Sequence, residues 1–154
     1  MKHWKDIIFA LSTQKAKSGI AVFRVSGKGS HKLIKSISSK EKFKPNFVSL
    51  NNILDGKNIV DQTLTTFFKS PKSYTGEDMV EISSHGSISV INKITKILLK
   101  KQIRLAEPGE FTKRALMNDK LSVLEAETIN DLVNAETENQ RKIAIGNLSG
   151  SLDK

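Results

Sequence analysis

The segment YTGEDMVEISSHGS, residues 74–87, concentrates side chains that could do chemistry. Glu77 and Asp78 stand in a Gly-containing turn, whereas Glu81 lies within a short apolar strand. Charged residues of turns are usually solvated, so we expect the turn pair to be solvent-facing acids that cap the turn. Glu81 faces either the solvent or a pocket, where its carboxylate could accept hydrogen bonds from amino and amide donors of a heterocycle.

Basic side chains that could pair with Glu81 occur elsewhere in the chain. Arg24 stands in the apolar strand AVFRVS, where a buried guanidinium needs a partner, and Glu81 is a candidate. A solvent-facing Arg24 on the polar side of a half-exposed strand is the alternative. Arg114 lies on a predicted helix and Lys120 just beyond its end. These two residues either line the mouth of a cleft or are surface charge.

His85 and Gly86 lie where the predicted strand gives way to a helix. The N-terminus of a helix favours anions, so residues 84–87 could hold a carboxylate or a phosphate. Ser87 as a plain N-cap explains this serine without any ligand. Because the sequence offers His85 no base or metal partner, a structural role is the favoured interpretation.

The composition is that of a globular protein with one core. The chain has 154 residues, 38% of them hydrophobic and 27% charged, which is too short for two typical domains. It has no cysteine, which excludes disulfides, zinc–thiolate sites and cysteine nucleophiles within these residues. Apolar runs are too short for a membrane span or a signal peptide, and neither GxxxxGK[ST] nor GxGxxG occurs. We therefore expect a cytoplasmic protein without membrane contact.

The net charge of +9 is unevenly distributed. Residues 1–60 contain 12 Lys and Arg against 3 Asp and Glu, a difference that equals the whole excess. Such a surface could attract RNA phosphates or a polyanionic small ligand. Most of these charges are lysines, which are often merely solvated, and no aromatic platform for stacking bases is visible.

Hydrophobic periodicity and turn residues predict alternating strands and helices. The first half is predicted to contain strands at 7–12 and 19–26, a short helix capped by Ser30, and a hairpin of strands 46–54 and 59–68 around Asp55-Gly56. A strand from Met79, a helix from Ser87 and a short strand at 103–106 follow. The last two predicted elements are a helix with Pro108 in its first turn that ends near Asn118, and a long helix from a Ser122–Glu125 capping box to about Asn147.

This order predicts an α+β fold with one mixed β-sheet and flanking helices, followed by one long C-terminal helix. The predicted domain comprises residues 1–119, and residues 120–154 begin a helical segment. The polar stretch ETENQRK at 136–142 interrupts the apolar stripe of the last helix. A helix with a polar middle and an apolar end is typical of one that leaves the core to meet another element.

Three stretches together resemble a known family. SGIAVFRVSG, SYTGEDMVEISSHGS and RLAEPGEFTKRALMNDKLSVLEAETINDLVNAET are similar, in order and spacing, to the N-terminal domain of the tRNA modification GTPases called MnmE or TrmE. The resemblance implies an α/β domain, similar to folate-binding domains of glycine-cleavage T-proteins, that dimerises and binds tetrahydrofolate at the dimer interface. A helical domain with an inserted potassium-dependent GTPase domain follows it in the family.

The resemblance also implies a reaction and partners. With an MnmG-type flavoprotein, the family modifies the wobble uridine, U34, of certain tRNAs, and 5-formyl- or 5,10-methylene-tetrahydrofolate provides the one-carbon unit. GTP and potassium belong to the GTPase domain, which lies outside these 154 residues. We therefore expect no GTP hydrolysis by this chain alone, and whether it is itself an enzyme stays open.

Family motifs place the folate contacts on Arg24 in FRVSG, Glu81 in MVEIS and Lys120 in NDKL. By resemblance, Glu81 anchors the amino group and ring nitrogen of the pterin, while Arg24 and Lys120 meet carbonyl or carboxylate oxygens. Residues 14–21 replace several glycines of the family pattern. The altered loop leaves open an assembly domain that dimerises without binding folate. The basic charge of residues 1–60 leaves open a basic RNA-binding domain as another alternative.

Overall fold

The computed structural model describes residues 6–152, and this part of the chain forms one sheet and five helices. In chain order the elements are β1 (Ile8–Leu11), β2 (Ser18–Ser26), α1 (Ser30–Ser36), β3 (Val48–Asp55), β4 (Asn58–Phe68), β5 (Met79–Gly86), α2 (Ile88–Lys100), β6 (Arg104–Leu105), α3 (Glu110–Met117), α4 (Val123–Val133) and α5 (Glu138–Leu152).

The six strands lie in the order β3-β4-β5-β2-β1-β6. β1 and β6 are parallel and all other neighbours are antiparallel, which confirms the predicted α+β fold with a mixed sheet. The hairpin predicted around Asp55-Gly56 joins β3 and β4. β2 and β5 are distant in sequence but adjacent in the middle of the sheet, so residues of the two predicted site motifs lie side by side.

One face of the sheet is covered by α1 and α2, and the hydrophobic core lies between this face and the two helices. Alternate strand residues such as Phe23 and Ile82 point into it, as does a stripe of α2 that includes Ile91 and Ile94; all four are at most 1% exposed. Burying each of these side chains stabilises the fold by about 1.5–3 kcal/mol relative to leaving it exposed. This packing determines which residues turn to the other face.

The opposite face is partly open to solvent. Residues in direct register across β2, β5, β4 and β3 form two adjacent rows on it, Arg24–Glu81–Thr66–Val48 and Val22–Ser83–Leu64–Leu50. Rows two residues apart share a face because strand side chains alternate. Val48, Leu50 and Leu64 are 64%, 60% and 48% exposed. We call these eight residues the open sheet face. On it, the charged residues Arg24 and Glu81 lie in a row with the exposed Val48, next to the row that contains the exposed Leu50 and Leu64.

The C-terminal helix differs from its prediction. The expected continuous helix from Ser122 to about Asn147 is wrong, because α4 ends at Val133 and α5 begins at Glu138. The predicted capping box is confirmed: the Ser122 hydroxyl accepts from the Glu125 N–H at 3.2 Å, and the Glu125 carboxylate accepts from the Ser122 N–H at 2.7 Å. α5, with 15 residues, is the long C-terminal helix.

Two other helix starts are displaced by a residue or two. Ser30, predicted as an N-cap, is the first residue of α1, and Gly29 occupies the cap position. Pro108 precedes the cap residue Gly109 rather than standing in the first turn of α3. Over residues 6–152, no helix combines the length and apolar character needed to cross a membrane.

Candidate functional site

Arg24 and Glu81 form an ion pair across β2 and β5. Arg24 Nε and Nη2 both donate to Glu81 Oε1, at 3.0 and 2.8 Å. The two side chains are 27% and 28% exposed, so the pair is half-buried. This pairing confirms the candidate partner of Arg24. Among the described residues, none donates to Glu81 Oε2 and none accepts from Arg24 Nη1, so the pair retains one acceptor and one donor for another molecule.

Two aromatic rings lie against the Arg24 guanidinium. Its central carbon is 5.1 Å from the centre of the Tyr74 ring and 5.7 Å from that of Phe111 on α3. Such contacts stabilise a cation by about 0.5–1 kcal/mol at partly exposed sites and restrict its rotamers. The Tyr74 hydroxyl is 2.9 Å from Thr112 Oγ1, which connects the ring to α3. The sequence did not identify either ring as part of the site, although Tyr74 is the first residue of the segment YTGEDMVEISSHGS.

Lys120 lies against the loop that carries Tyr74. Its backbone N–H donates to Ala115 O at 2.9 Å, so it follows directly on the end of α3. Gly76 has a φ of +76°, and a Cβ there would come within 2.9 Å of Lys120 Cγ. The structure therefore brings Arg24 and Glu81 together, whereas Lys120 forms no ion pair with Glu81 or any other described acid. Lys120 instead lies beside Gly76, two residues after Tyr74 in the same loop.

Arg114 contradicts both interpretations of its sequence position. It is neither at a cleft mouth nor on the surface, because its side chain is completely buried. Its guanidinium donates to Asp6 Oδ1 at 2.9 Å, Glu110 Oε1 at 3.1 Å and Glu77 Oε2 at 3.2 Å. Glu77, predicted to be a solvated turn acid, is 14% exposed. A buried guanidinium requires such partners, and removing one would leave an uncompensated charge.

Glu110 is an ionised structural acid. Hydrogen bonds from Arg104, at 2.7 and 2.9 Å, are the main cause that lowers the pKa of Glu110 to about 2, against the opposing effect of burial. The Glu107 N–H also donates to its carboxylate at 2.7 Å. At neutral pH the pair holds α3 against β6, and Glu110 has no proton to offer in catalysis.

His85 has a partner that sequence reasoning did not identify. Asp61 on β4 accepts from the His85 backbone N–H at 2.8 Å and lies 2.7 Å from the ring atom Nδ1. The imidazole is 71% exposed. Ser87 occupies the N-cap position of α2 as expected, but its side chain makes no capping hydrogen bond.

Gly86 explains why the motif ends in His-Gly. A Cβ at this position would lie 2.1 Å from Ser18 Oγ and 2.5 Å from the Ser18 carbonyl oxygen. β2 and β5 shift register between Ser18 and Ala21, and the two backbones approach closely there. A glycine is needed for this approach, so Gly86 has a structural role at the edge of the site.

Comparison with known proteins identifies the family. Residues 7–120 match the family described as GTP-binding protein TrmE N-terminus. The chain is 43% identical over 152 residues to the tRNA modification GTPase MnmE of Rickettsia bellii (strain OSU 85-389), covering 97% of this chain and 34% of that protein.

Two further relatives carry the same name. The tRNA modification GTPase MnmE of Clostridioides difficile is 39% identical over 155 residues, with 97% of this chain and 34% of the relative covered. That of Thermotoga maritima is 42% identical over 148 residues, with 96% and 33% covered. The chain thus spans about a third of the length of these relatives. It belongs to the family of the GTP-binding protein TrmE N-terminus.

Proposed function

We propose that these residues are the tetrahydrofolate-binding and dimerisation module of a tRNA modification GTPase. The half-buried Arg24–Glu81 pair carries the proposal, because Glu81 Oε2 and Arg24 Nη1 have no partner among the described residues. A carboxylate oxygen accepts from an amino group and a ring N–H, and a guanidinium N–H donates to a carbonyl. The pair thus complements the edge of a pterin, which presents both kinds of group.

The surroundings of the pair fit the rest of a folate. The Tyr74 and Phe111 rings hold Arg24 in position and offer flat apolar surface beside the pair. Lys120, exposed and in contact with the Tyr74 loop, supplies a cation for a carboxylate of the ligand. Bound 5-formyl- or 5,10-methylene-tetrahydrofolate would supply a one-carbon unit, while these residues bind and orient it.

The open sheet face supports dimerisation. Val48, Leu50 and Leu64 are each about half or more exposed and lie in adjacent rows next to the charged pair. Contiguous apolar surface of this kind is a feature of association sites. A second copy of the chain packed on this face would remove these side chains from water and would also enclose the ligand site.

We propose tRNA and an MnmG-type flavoprotein as partners of the whole protein, and we propose that it acts in the cytoplasm. Six lysines between residues 28 and 44 are exposed, and none forms an ion pair with a described residue. One acid, Glu41, accompanies them. This charge supports contact with tRNA phosphates. GTP hydrolysis, with its potassium requirement, is proposed for the longer protein, and we do not extend it to these 154 residues.

Calorimetric titration of the chain with 5-formyl-tetrahydrofolate tests the binding proposal. We expect saturable binding that Glu81→Gln weakens at least about 10-fold. The Glu81 carboxylate can accept from both the amino group and the ring N–H of the pterin, whereas the NH₂ group of glutamine would face one of these donors. Glu41→Gln makes the same chemical change at an exposed acid and should leave the affinity unchanged. Absence of binding, or equal weakening by both substitutions, would refute the folate site.

A second candidate function is an assembly domain without a ligand. The exposed apolar side chains of the open sheet face favour it, since they require a partner surface but no small molecule. Light scattering during the same titration distinguishes the two. A dimer that forms without folate and releases no heat with it would support the assembly domain.

A further inference from the structure

Three residues of the 74–77 loop form hydrogen bonds with α3 or with Asn118, which follows it. The bonds are Tyr74 Oη with Thr112 Oγ1 at 2.9 Å, Thr75 O with Asn118 Nδ2 at 2.7 Å, and Glu77 Oε2 with Arg114 Nη1 at 3.2 Å. At Gly76, between them, a Cβ would lie 2.9 Å from Lys120 Cγ. The loop is therefore bonded to both ends of α3 through side chains.

The same loop also contacts the candidate site. The Tyr74 ring lies 5.1 Å from the Arg24 guanidinium carbon. The buried Ser26 hydroxyl, two residues along β2 from Arg24, is 2.7 Å from both Thr75 Oγ1 and Glu77 Oε2. One short segment is thus bonded on one side to β2 and on the other to α3.

We propose that the 74–77 loop couples the Arg24–Glu81 site to α3, so that ligand binding at the pair and docking of α3 stabilise each other. Such coupling is reciprocal, because a ligand that favours the docked helix must be favoured by it. Tyr74 is the positioning residue: its hydroxyl contact with Thr112 determines where the ring meets Arg24. The ligand in this inference rests on the proposed function, but the coupling itself exists in the free chain.

The coupling extends towards the helical segment. α3 packs against α4, and the chain passes from α3 to α4 through Asn118 and Lys120, both of which contact the loop. A displacement of the helical segment therefore changes the position of Tyr74 over Arg24. Occupancy of the site is in this way sensitive to how α4 and α5 are held.

A pair of Thr→Val substitutions tests the coupling in the whole chain. Thr112→Val removes the bond to Tyr74, whereas Thr95→Val removes a comparable bond on α2, to Ile91 O at 2.8 Å, away from the loop. We expect Thr112→Val to weaken binding of 5-formyl-tetrahydrofolate about 3- to 10-fold, the effect of one hydrogen bond, and Thr95→Val to change it less than about 2-fold.

Amide hydrogen exchange gives the second readout. Ligand should slow exchange across 110–117 in the wild type and in Thr95→Val, but much less in Thr112→Val, while the β3–β4 hairpin exchanges alike in all three. Tyr74→Phe, which keeps the ring on Arg24, should reproduce Thr112→Val, and the double variant should add nothing further. A merely structural role of the bond would instead accelerate exchange throughout the chain.

Two results would overturn the inference. One is equal affinity and equal ligand protection of α3 in wild type and Thr112→Val. If the wild type binds no folate, the proposed function is refuted, and the coupling is tested in the free chain instead. The free chain then decides, since exchange of the 74–77 amides must still be faster in Thr112→Val than in Thr95→Val, and unchanged exchange contradicts the coupling.

Discussion

At the residue scale, the geometry of Arg24 explains why this position needs arginine. Nε and Nη2 reach one oxygen of Glu81 while the planar group lies against two aromatic rings. A lysine has one compact charge and can neither form this fork nor stack. Arg24 thus binds Glu81 Oε1 and leaves Glu81 Oε2 available to accept a hydrogen bond from a ligand.

We predict that Arg24→Lys weakens 5-formyl-tetrahydrofolate binding about 10-fold although the charge is kept. The fork and the stacking are lost, so Glu81 is no longer held in one orientation. Arg141→Lys is the matched control, because Arg141 forms a similar fork with Glu138 on the surface of α5. Calorimetry on both variants measures the difference, and equal affinities for Arg24→Lys and wild type would contradict the role of the fork.

Glu110 gives a prediction for acid stability. The folded-state pKa of Glu110 is about 2, below its ordinary value of 4.5, so the carboxylate stabilises the fold above about pH 4.5 and this contribution is lost as pH falls towards 2. Arg104 is 41% exposed, so water screens part of the effect. We expect Glu110→Gln to lower the free energy of unfolding by about 1–3 kcal/mol at neutral pH.

Urea denaturation of wild type and Glu110→Gln at neutral pH and at about pH 2.5 measures this contribution. The difference between the two proteins should shrink at the lower pH, where Glu110 of the wild type approaches its own protonation in the folded state. A difference that is the same at both pH values would show that the ionised form of Glu110 contributes nothing specific.

Some of these residues could be predicted from sequence and others could not. An arginine in an apolar strand demands a partner, and an acid in a second apolar strand is a natural one, so the Arg24–Glu81 pair was one of the two interpretations that the local pattern offered. The burial of Arg114 did not follow, because an arginine on a helix is usually solvent-facing, and its burial depends on contacts with Asp6 and Glu77. Burial of a charged side chain depends on such tertiary contacts, which no local periodicity records.

At the element scale, Gly86 links the site motif to the pairing of β2 and β5. We predict that Gly86→Ala lowers stability by about 1–3 kcal/mol, because its Cβ would lie 2.5 Å from the Ser18 carbonyl oxygen and the strands must separate. Gly19→Ala on β2 is the control, since no atom lies within 4 Å of the methyl group that this substitution adds.

Thermal unfolding of the two alanine variants checks this prediction. Gly19→Ala should unfold within a few degrees of wild type, whereas Gly86→Ala should unfold clearly earlier. If both substitutions have the same small effect, the close approach of Ser18 to Gly86 is not needed for strand pairing.

The break between α4 and α5 shows why the long helix was mispredicted. Thr137 Oγ1 accepts from the Gln140 N–H at 3.2 Å, and Gln140 Oε1 accepts from the Thr137 N–H at 3.0 Å. This is a second capping box, Thr-x-x-Gln, a signal of a helix start that the sequence contains. The apolar stripe on both sides suggested continuity, but the capping side chains within the polar stretch begin a new helix.

At the scale of the whole molecule, the open sheet face predicts the oligomeric state. Leu64→Glu places a charge among exposed apolar neighbours and should convert a dimer into a monomer. Leu99→Glu on α2 is the control, since Leu99 is similarly exposed, at 47% against 48%, but lies on a helix that covers the other face. Light scattering gives the mass of each variant. A dimer that survives Leu64→Glu would exclude this face as the interface.

Apart from the break between α4 and α5, the longer strands and helices followed from periodicity because each alternates or repeats over several residues. The order of strands, which places β5 beside β2, did not, since strand neighbours depend on packing across the chain. The chain spans about a third of the length of its relatives, and the exposure of apolar side chains such as Val133 and Ile143 describes these 154 residues alone.

Residue-resolved NMR during titration with 5-formyl-tetrahydrofolate tests the central claim most directly. We predict saturable shifts of the Arg24 Nε–H signal and of the amides of Glu81 and residues 74–77, while the exposed pair of Arg141 and Glu138 keeps its signals. Signals of Arg24 and Glu81 that stay unchanged at saturating ligand, or shifts confined to another part of the chain, would contradict the account.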